Sequence, residues 1–203
     1  MLIWINGAFG AGKTQTAYEL HRRLDGGYVS DPEFLGFGVH KMLPAGARQD
    51  FQDLPQWRSG VITTLAQAEA ACAGQLIVPM SIVRDDYFDE IVGGLRSSGV
   101  QLRHYTLNAT AATLERRLRL RSRHLIGRVL RRDETWATQQ IDRCVNALAA
   151  DRYATHIPTD DLTPDEVVEL IAADADLELI RPRLSAARYQ LRRLEIGIRH
   201  IRF

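Results

Sequence analysis

The chain has 203 residues, 45% hydrophobic and 25% charged, enough for one ordinary domain with a buried core or for one domain plus an appendage. Its formal net charge of +1 gives no overall electrostatic reason to bind nucleic acid, and no apolar stretch approaches the length needed to span a bilayer. Cys72 and Cys144 lack C-x-x-C spacing and so indicate neither a disulfide framework nor a metal site; with no basic leader at Met1-Leu2-Ile3-Trp4, the expectation is a cytoplasmic protein.

The first expected element is a strand at 2–6, the apolar run Leu2-Ile3-Trp4-Ile5-Asn6. It runs directly into Gly7-Ala8-Phe9-Gly10-Ala11-Gly12-Lys13-Thr14, a complete G-x-x-x-x-G-K-[ST] phosphate loop, and a helix is expected at 13–25 with Ala17, Leu20 and Leu24 on one face. Strand, loop and helix in that order are what the motif needs. Backbone N–H groups from Gly7 to Gln15 can then encircle phosphates, Lys13 can reach the β and γ oxygens, and Thr14 can ligate Mg²⁺. ATP with Mg²⁺ is the expected cofactor, set against the bland reading of a flexible glycine turn. Arginine carries nearly all the positive charge, Lys13 and Lys41 being the lysines, so a lysine kept at this position supports the reading.

The second strand, Tyr28 to Ser30, is followed by Asp31-Pro32-Glu33. In an open parallel sheet ligands sit at the carboxyl ends of the strands. Pro32 keeps Asp31 extended, so its carboxylate is expected to point at the γ-phosphate region, as a base for an attacking hydroxyl or as a holder of Mg²⁺ and its water. Glu33 is the fallback, and an ordinary Asp-Pro turn is the alternative. The stretch beyond it, with Phe34 and Phe37, then Trp57 and Arg58, is expected to form the acceptor pocket, the aromatics stacking on a ring and Arg58 meeting an anion. Core packing explains any single aromatic equally well.

A helix at 58–73 leads to a third strand at 75–83. That strand ends Val78-Pro79-Met80-Ser81 without an acidic residue, so metal binding is expected to rest on Thr14, phosphates, water and Asp31, with Met80 bordering the acceptor. Asp85 and Asp86 suit the start of a helix at 86–98. A fourth strand at 101–107 precedes a helix at 110–123 and a dense arginine run: Arg116, Arg117, Arg119, Arg121, Arg123, Arg128, Arg131 and Arg132, with Gly127 as a hinge. A mobile arginine lid over about 119–133 would stabilise phosphoryl charge and exclude water, and Arg119 and Arg123, one turn apart, are its catalytic candidates. A solvated basic face or an RNA-binding patch is the alternative. Helices at 134–150 and 163–174 flank a weak strand at 156–157, and Thr163, Pro164 and Glu166 make a capping box. The histidines show no metal-ligand spacing, and no N-K-x-D sequence suggests a GTPase.

The expectation is therefore an α/β three-layer P-loop kinase fold, a five-stranded parallel sheet flanked by helices. It would occupy 1–174, with a linker and a basic amphipathic helix at 175–203. In that helix Leu184, Ala187, Leu191, Leu194, Ile198 and Ile201 form an apolar seam among arginines. Lipid, the protein's own core and a second subunit all fit such a seam.

The segments Trp4-Ile5-Asn6-Gly7-Ala8-Phe9-Gly10, Gly12-Lys13-Thr14-Gln15-Thr16, Glu19-Leu20-His21-Arg22-Arg23-Leu24 and Tyr28-Val29-Ser30-Asp31-Pro32-Glu33 resemble the tunicamycin-resistance proteins. The likeness continues through Gln75-Leu76-Ile77-Val78-Pro79-Met80, Trp136-Ala137 and Gln140-Ile141-Asp142-Arg143-Cys144-Val145, covering most of residues 1–172. The resemblance implies an ATP-binding protein of the small-molecule and nucleotide kinase type that protects against a uridine-containing nucleoside antibiotic by phosphorylating it. Gly7, Gly12, Lys13 and Thr14 match the ATP-site motif, and Asp31 matches the base position of related antibiotic kinases such as chloramphenicol phosphotransferase. The resemblance also implies loose membrane attachment through residues 183–203. Sequestration of the antibiotic without chemistry, and a housekeeping nucleotide or metabolite kinase, remain as alternative functions.

Overall fold

The computed structural model describes residues 1–122, 138–153 and 155–199. Its centre is a five-stranded, all-parallel sheet: β1 (Leu2–Gly7), β2 (Tyr28–Val29), β3 (Leu76–Pro79), β4 (Leu102–Asn108) and β5 (His156–Pro158), in the order β2-β3-β1-β4-β5. The expected five strands and parallel sheet are borne out. β1 is wholly buried because both faces are covered, which is why its sequence reads as a continuous apolar run without alternation.

The two faces take alternate residues of β1. Ile3 and Ile5 pack with Ile77, Tyr105 and Leu107 under α1 (Lys13–Arg23), whereas Leu2 and Trp4 pack with Leu76 and Val78 under α3 (Pro55–Ala71) and α4 (Asp85–Ser97). α5 (Ala111–Ser122), α6 (Ile141–Leu148) and α7 (Pro164–Asp174) complete the first layer. α7 begins with the expected capping box, Thr163 Oγ1 accepting from Glu166 N–H while Glu166 Oε2 accepts from Thr163 N–H. Among the described residues no helix is long and apolar enough to cross a membrane.

Two sequence expectations are corrected. β3 stops at Pro79 instead of running to residue 83, because residues 80–82 bend to follow the phosphate loop. Residues Glu33–Met42 form a helix, α2, where no helix was expected. Helix α8 (Ala186–Arg199) is present as expected; Leu191 of the expected seam is 69% exposed, and Ile196, outside that seam, is buried. The chain just before α8 is pinned, and this limits which face can turn inward: Arg23 O accepts from Ile180 N–H, Arg22 donates to Pro182 O, and Arg183 pairs with Glu169.

α2 is held by aromatic packing. Phe51 stacks near Trp57, Phe37 and His40, and a methyl group at Gly36 would lie 2.5 Å from the Phe51 ring. Gly36→Ala should therefore destabilise the fold by about 1–2 kcal/mol net, because overpacking outweighs the gain in helix propensity. A lower urea midpoint at unchanged slope would show it; an unchanged or higher midpoint would mean that the ring simply moves aside.

Candidate nucleotide and acceptor site

The phosphate loop leaves β1 at the point where the chain turns to opposite sides of the sheet: β3 and then β2 lie on one flank of β1, β4 and β5 on the other. Such a switch point opens a crevice at the carboxyl ends of the strands. Asn6, completely buried, fixes the loop's entrance. Its Oδ1 accepts from Gly7 N–H at 2.8 Å and from Ile82 N–H at 3.1 Å, and its Nδ2 donates to Ile82 O at 2.9 Å. A polar side chain in a buried strand is costly unless its hydrogen bonds are made, and here both ends are used. Ser81 Oγ adds a 2.7 Å bond to Gly7 O.

Gly12 has φ of +100°, a left-handed conformation that favours glycine, and a Cβ placed on it would meet nothing within 4 Å, so the space beside it is open. The first turn of α1 beyond it has no acidic residue and no side-chain cap, leaving the positive end of the helix facing that space. Lys13 Nζ folds back over the loop, donating to Gly7 O at 3.0 Å and Ala8 O at 3.1 Å and lying 5.6 Å from the Phe9 ring centre. The loop N–H groups, Lys13 and the open space beside Gly12 fit a phosphate chain. Gly10 rests on Leu114 and Leu118 of α5, and Ala8 and Ala11 are buried, so the loop's outer side is packed. Thr14 and Gln15 stand on the first turn of α1, partly exposed. Cys144 is buried in the same layer; burial pushes its thiol pKa up, against the opposing charges of Lys13 and Arg143.

Asp31 lies just past β2, at the same carboxyl edge, and is buried. Its Oδ1 accepts from Glu33 N–H at 2.9 Å, which starts α2 and fixes the carboxylate's orientation. Phe34 is half-exposed and edge-on to Phe37 at 6.5 Å, so these two offer the ring surface expected of an acceptor wall, with Glu33 beside them. Trp57 and Met80 do not: both are core residues, Trp57 donating Nε1–H to Pro32 O and Met80 O accepting from Trp4 Nε1–H. The Arg58 guanidinium, expected to meet an anion, pairs with Glu90 at 2.5 Å, donates to Gln52 O at 2.6 Å and stacks 4.3 Å from the Tyr87 ring centre.

On the opposite flank, Arg119 is 71% exposed and paired with Glu115 on its own helix. Arg117 of the same helix is drawn inward: its guanidinium donates to Thr159 Oγ1 and to Thr159 O, and burial makes it less basic than usual. Arg123 and most of the expected lid lie outside the described residues. Among the described residues no group of three or more His, Cys, Asp or Glu could hold a metal ion. Asn6 and Ser81 are structural residues that sequence reasoning missed; the available signal was a polar residue near the end of β1 and another just past β3.

The family model described as an AAA domain matches residues 2–144. No curated protein matches the chain. The tunicamycin resistance protein of Deinococcus radiodurans is 34% identical, with 89% of this chain and 99% of that one covered and a TM-score of 0.73. A sugar kinase from a Janibacter species, 16% identical, covers 87% of this chain and 94% of its own at a TM-score of 0.60. The shikimate kinase of Bacteroides thetaiotaomicron is 17% identical, over 87% of this chain and 99% of its own, at a TM-score of 0.56. The last two likenesses show a kinase-like P-loop fold.

Proposed function

The chain belongs to the AAA domain family and, within it, with the tunicamycin resistance proteins, and on that premise we propose that it is an ATP-dependent phosphotransferase acting on a hydroxyl of a nucleoside-like small molecule, tunicamycin being the first candidate. The observation that carries the proposal is the open phosphate cradle, with Gly12 and Lys13 at its rim, on the same sheet edge as an oriented carboxylate, Asp31.

In this reading Lys13 leaves the loop carbonyls for the β and γ oxygens of ATP, and the loop N–H groups with the amino end of α1 hold the remaining charge. Thr14 and Asp31 are the residues that would hold Mg²⁺ and its water, and the metal would withdraw charge from the phosphate oxygens. Asp31 accepts the proton of the attacking hydroxyl, and the Phe34 and Phe37 surface orients the acceptor ring. Tight positioning matters most because phosphoryl transfer asks for little covalent help from the protein.

The test is transfer of the labelled terminal phosphate of ATP to tunicamycin in the presence of Mg²⁺. Labelled tunicamycin is the expected product. Binding of tunicamycin without transfer would replace the proposal by sequestration, and transfer to a common metabolite in preference to tunicamycin would replace it by a housekeeping kinase.

A further inference from the structure

Two halves of the proposed site come from segments distant in sequence, and one residue touches both. Ser81 Oγ donates to Gly7 O of the phosphate loop at 2.7 Å, and Ser81 O accepts from Gln52 Nε2 at 3.0 Å. Gln52 lies in a 3₁₀ turn, Phe51–Asp53, that is held from several sides. Gln52 O accepts from Arg58 Nη1, Gln52 N–H is capped by Asp50 Oδ1, and Asp53 Oδ1 accepts from Tyr87 O–H at 2.6 Å. Phe51 of this turn packs against Gly36 of α2 and against Trp57, whose indole N–H holds Pro32 O directly after Asp31. A continuous set of contacts thus runs from the phosphate loop to the backbone beside the proposed base.

We infer that Ser81 is a positioning residue that ties the phosphate loop to the acceptor-side turn, so that occupation of the nucleotide site sets the placement of Asp31 and α2. The inference rests on the phosphotransferase reading above. Its physical basis is the shared acceptor: Gly7 O takes bonds from both Ser81 Oγ and Lys13 Nζ, which uses both of its lone pairs. When Lys13 turns to a phosphate, Ser81 becomes the donor that keeps this buried carbonyl satisfied, and its bond shortens without competition. The strap from Ser81 to Gln52 tightens with it. Because coupling between binding events is reciprocal, an ordered acceptor turn in turn favours the nucleotide-bound loop.

The experiment uses the full chain with Mg²⁺ and AMPPNP as the probe, measuring affinity by calorimetry and amide exchange of residues 31–58 with and without AMPPNP. In the unaltered chain AMPPNP should slow exchange in residues 50–54. Ser81→Ala should weaken AMPPNP by about fivefold to tenfold, the cost of an unsatisfied carbonyl once Lys13 departs, and abolish the added protection; Ser81→Thr should restore both. Gln52→Met, which removes the donor and keeps the bulk, should leave affinity within about twofold and still abolish the added protection. Unchanged protection in Gln52→Met, or unchanged affinity in Ser81→Ala, overturns the inference while leaving the phosphotransferase reading in place. No AMPPNP binding by the unaltered chain overturns both together.

Discussion

Lys13→Ala is expected to weaken AMPPNP binding by about a hundredfold and to lower phosphoryl transfer by about a thousandfold or more. Lys13 supplies a mobile ammonium, and charge-assisted bonds to phosphate are worth about 1.5–3 kcal/mol each. Its contribution grows at the transition state, where charge on the transferring group is redistributed and preorganised cations act most strongly. The fold should survive the change. Lys13 is partly exposed, and although its Nζ caps Gly7 O and Ala8 O, Gly7 O retains the Ser81 bond. Calorimetric titration with AMPPNP reads the first effect and single-turnover transfer reads the second. An affinity within threefold of the parent would remove Lys13 from the phosphate site.

Asp31→Asn is expected to lower kcat by about a hundredfold to ten-thousandfold, the usual range for losing a positioned general base, while acceptor KM and AMPPNP affinity change less than about threefold. The substitution is informative because asparagine keeps an Oδ1 that can accept from Glu33 N–H, so the 2.9 Å contact that starts α2 is preserved. Asp31→Ala loses that contact as well and should cost about a further 1 kcal/mol of stability. A fall in thermal midpoint for alanine but not for asparagine, with both inactive, would separate the chemical role from the capping role. Full turnover in Asp31→Asn would move the base elsewhere, Glu33 being the neighbouring carboxylate. If the protein acts by sequestration, neither variant of Asp31 should alter protection of cells beyond its effect on folding.

The phosphate loop was legible because its determinants are contiguous. Strand, glycines, lysine and helix fall within residues 2–23, and each follows from local backbone geometry. α2 was not legible. Gly36 and Gly38 lower its helix propensity, and the reason Gly36 is there, the Phe51 ring 2.5 Å from its absent methyl, lies fifteen residues away in another element. Arg58 illustrates the same limit in a side chain. From sequence it is a cation near a proposed acceptor, but only folding brings Glu90 and the Tyr87 ring to it, and its guanidinium is then committed to Glu90, Gln52 O and the ring face. Arg117 and Arg119 are two residues apart on α5 and equivalent in composition; which one turns inward depended on Thr159, supplied by the far edge of the sheet.

By itself the sequence determined the nucleotide loop, the parallel five-stranded sheet that continuous apolar runs demand, and the identity of Lys13, Thr14 and Asp31 as the groups at the sheet's carboxyl edge. The tertiary structure decided how those groups are held: Asn6 and Ser81 bracing the loop, Gln52 reaching Ser81 O, Trp57 spent on the core and Ile196, not Leu191, buried on α8. The division has one physical cause. Backbone curvature and strand burial follow from residues adjacent in the chain, whereas the partner of a buried donor, acceptor or charge is whatever the fold brings within about 3 Å of it.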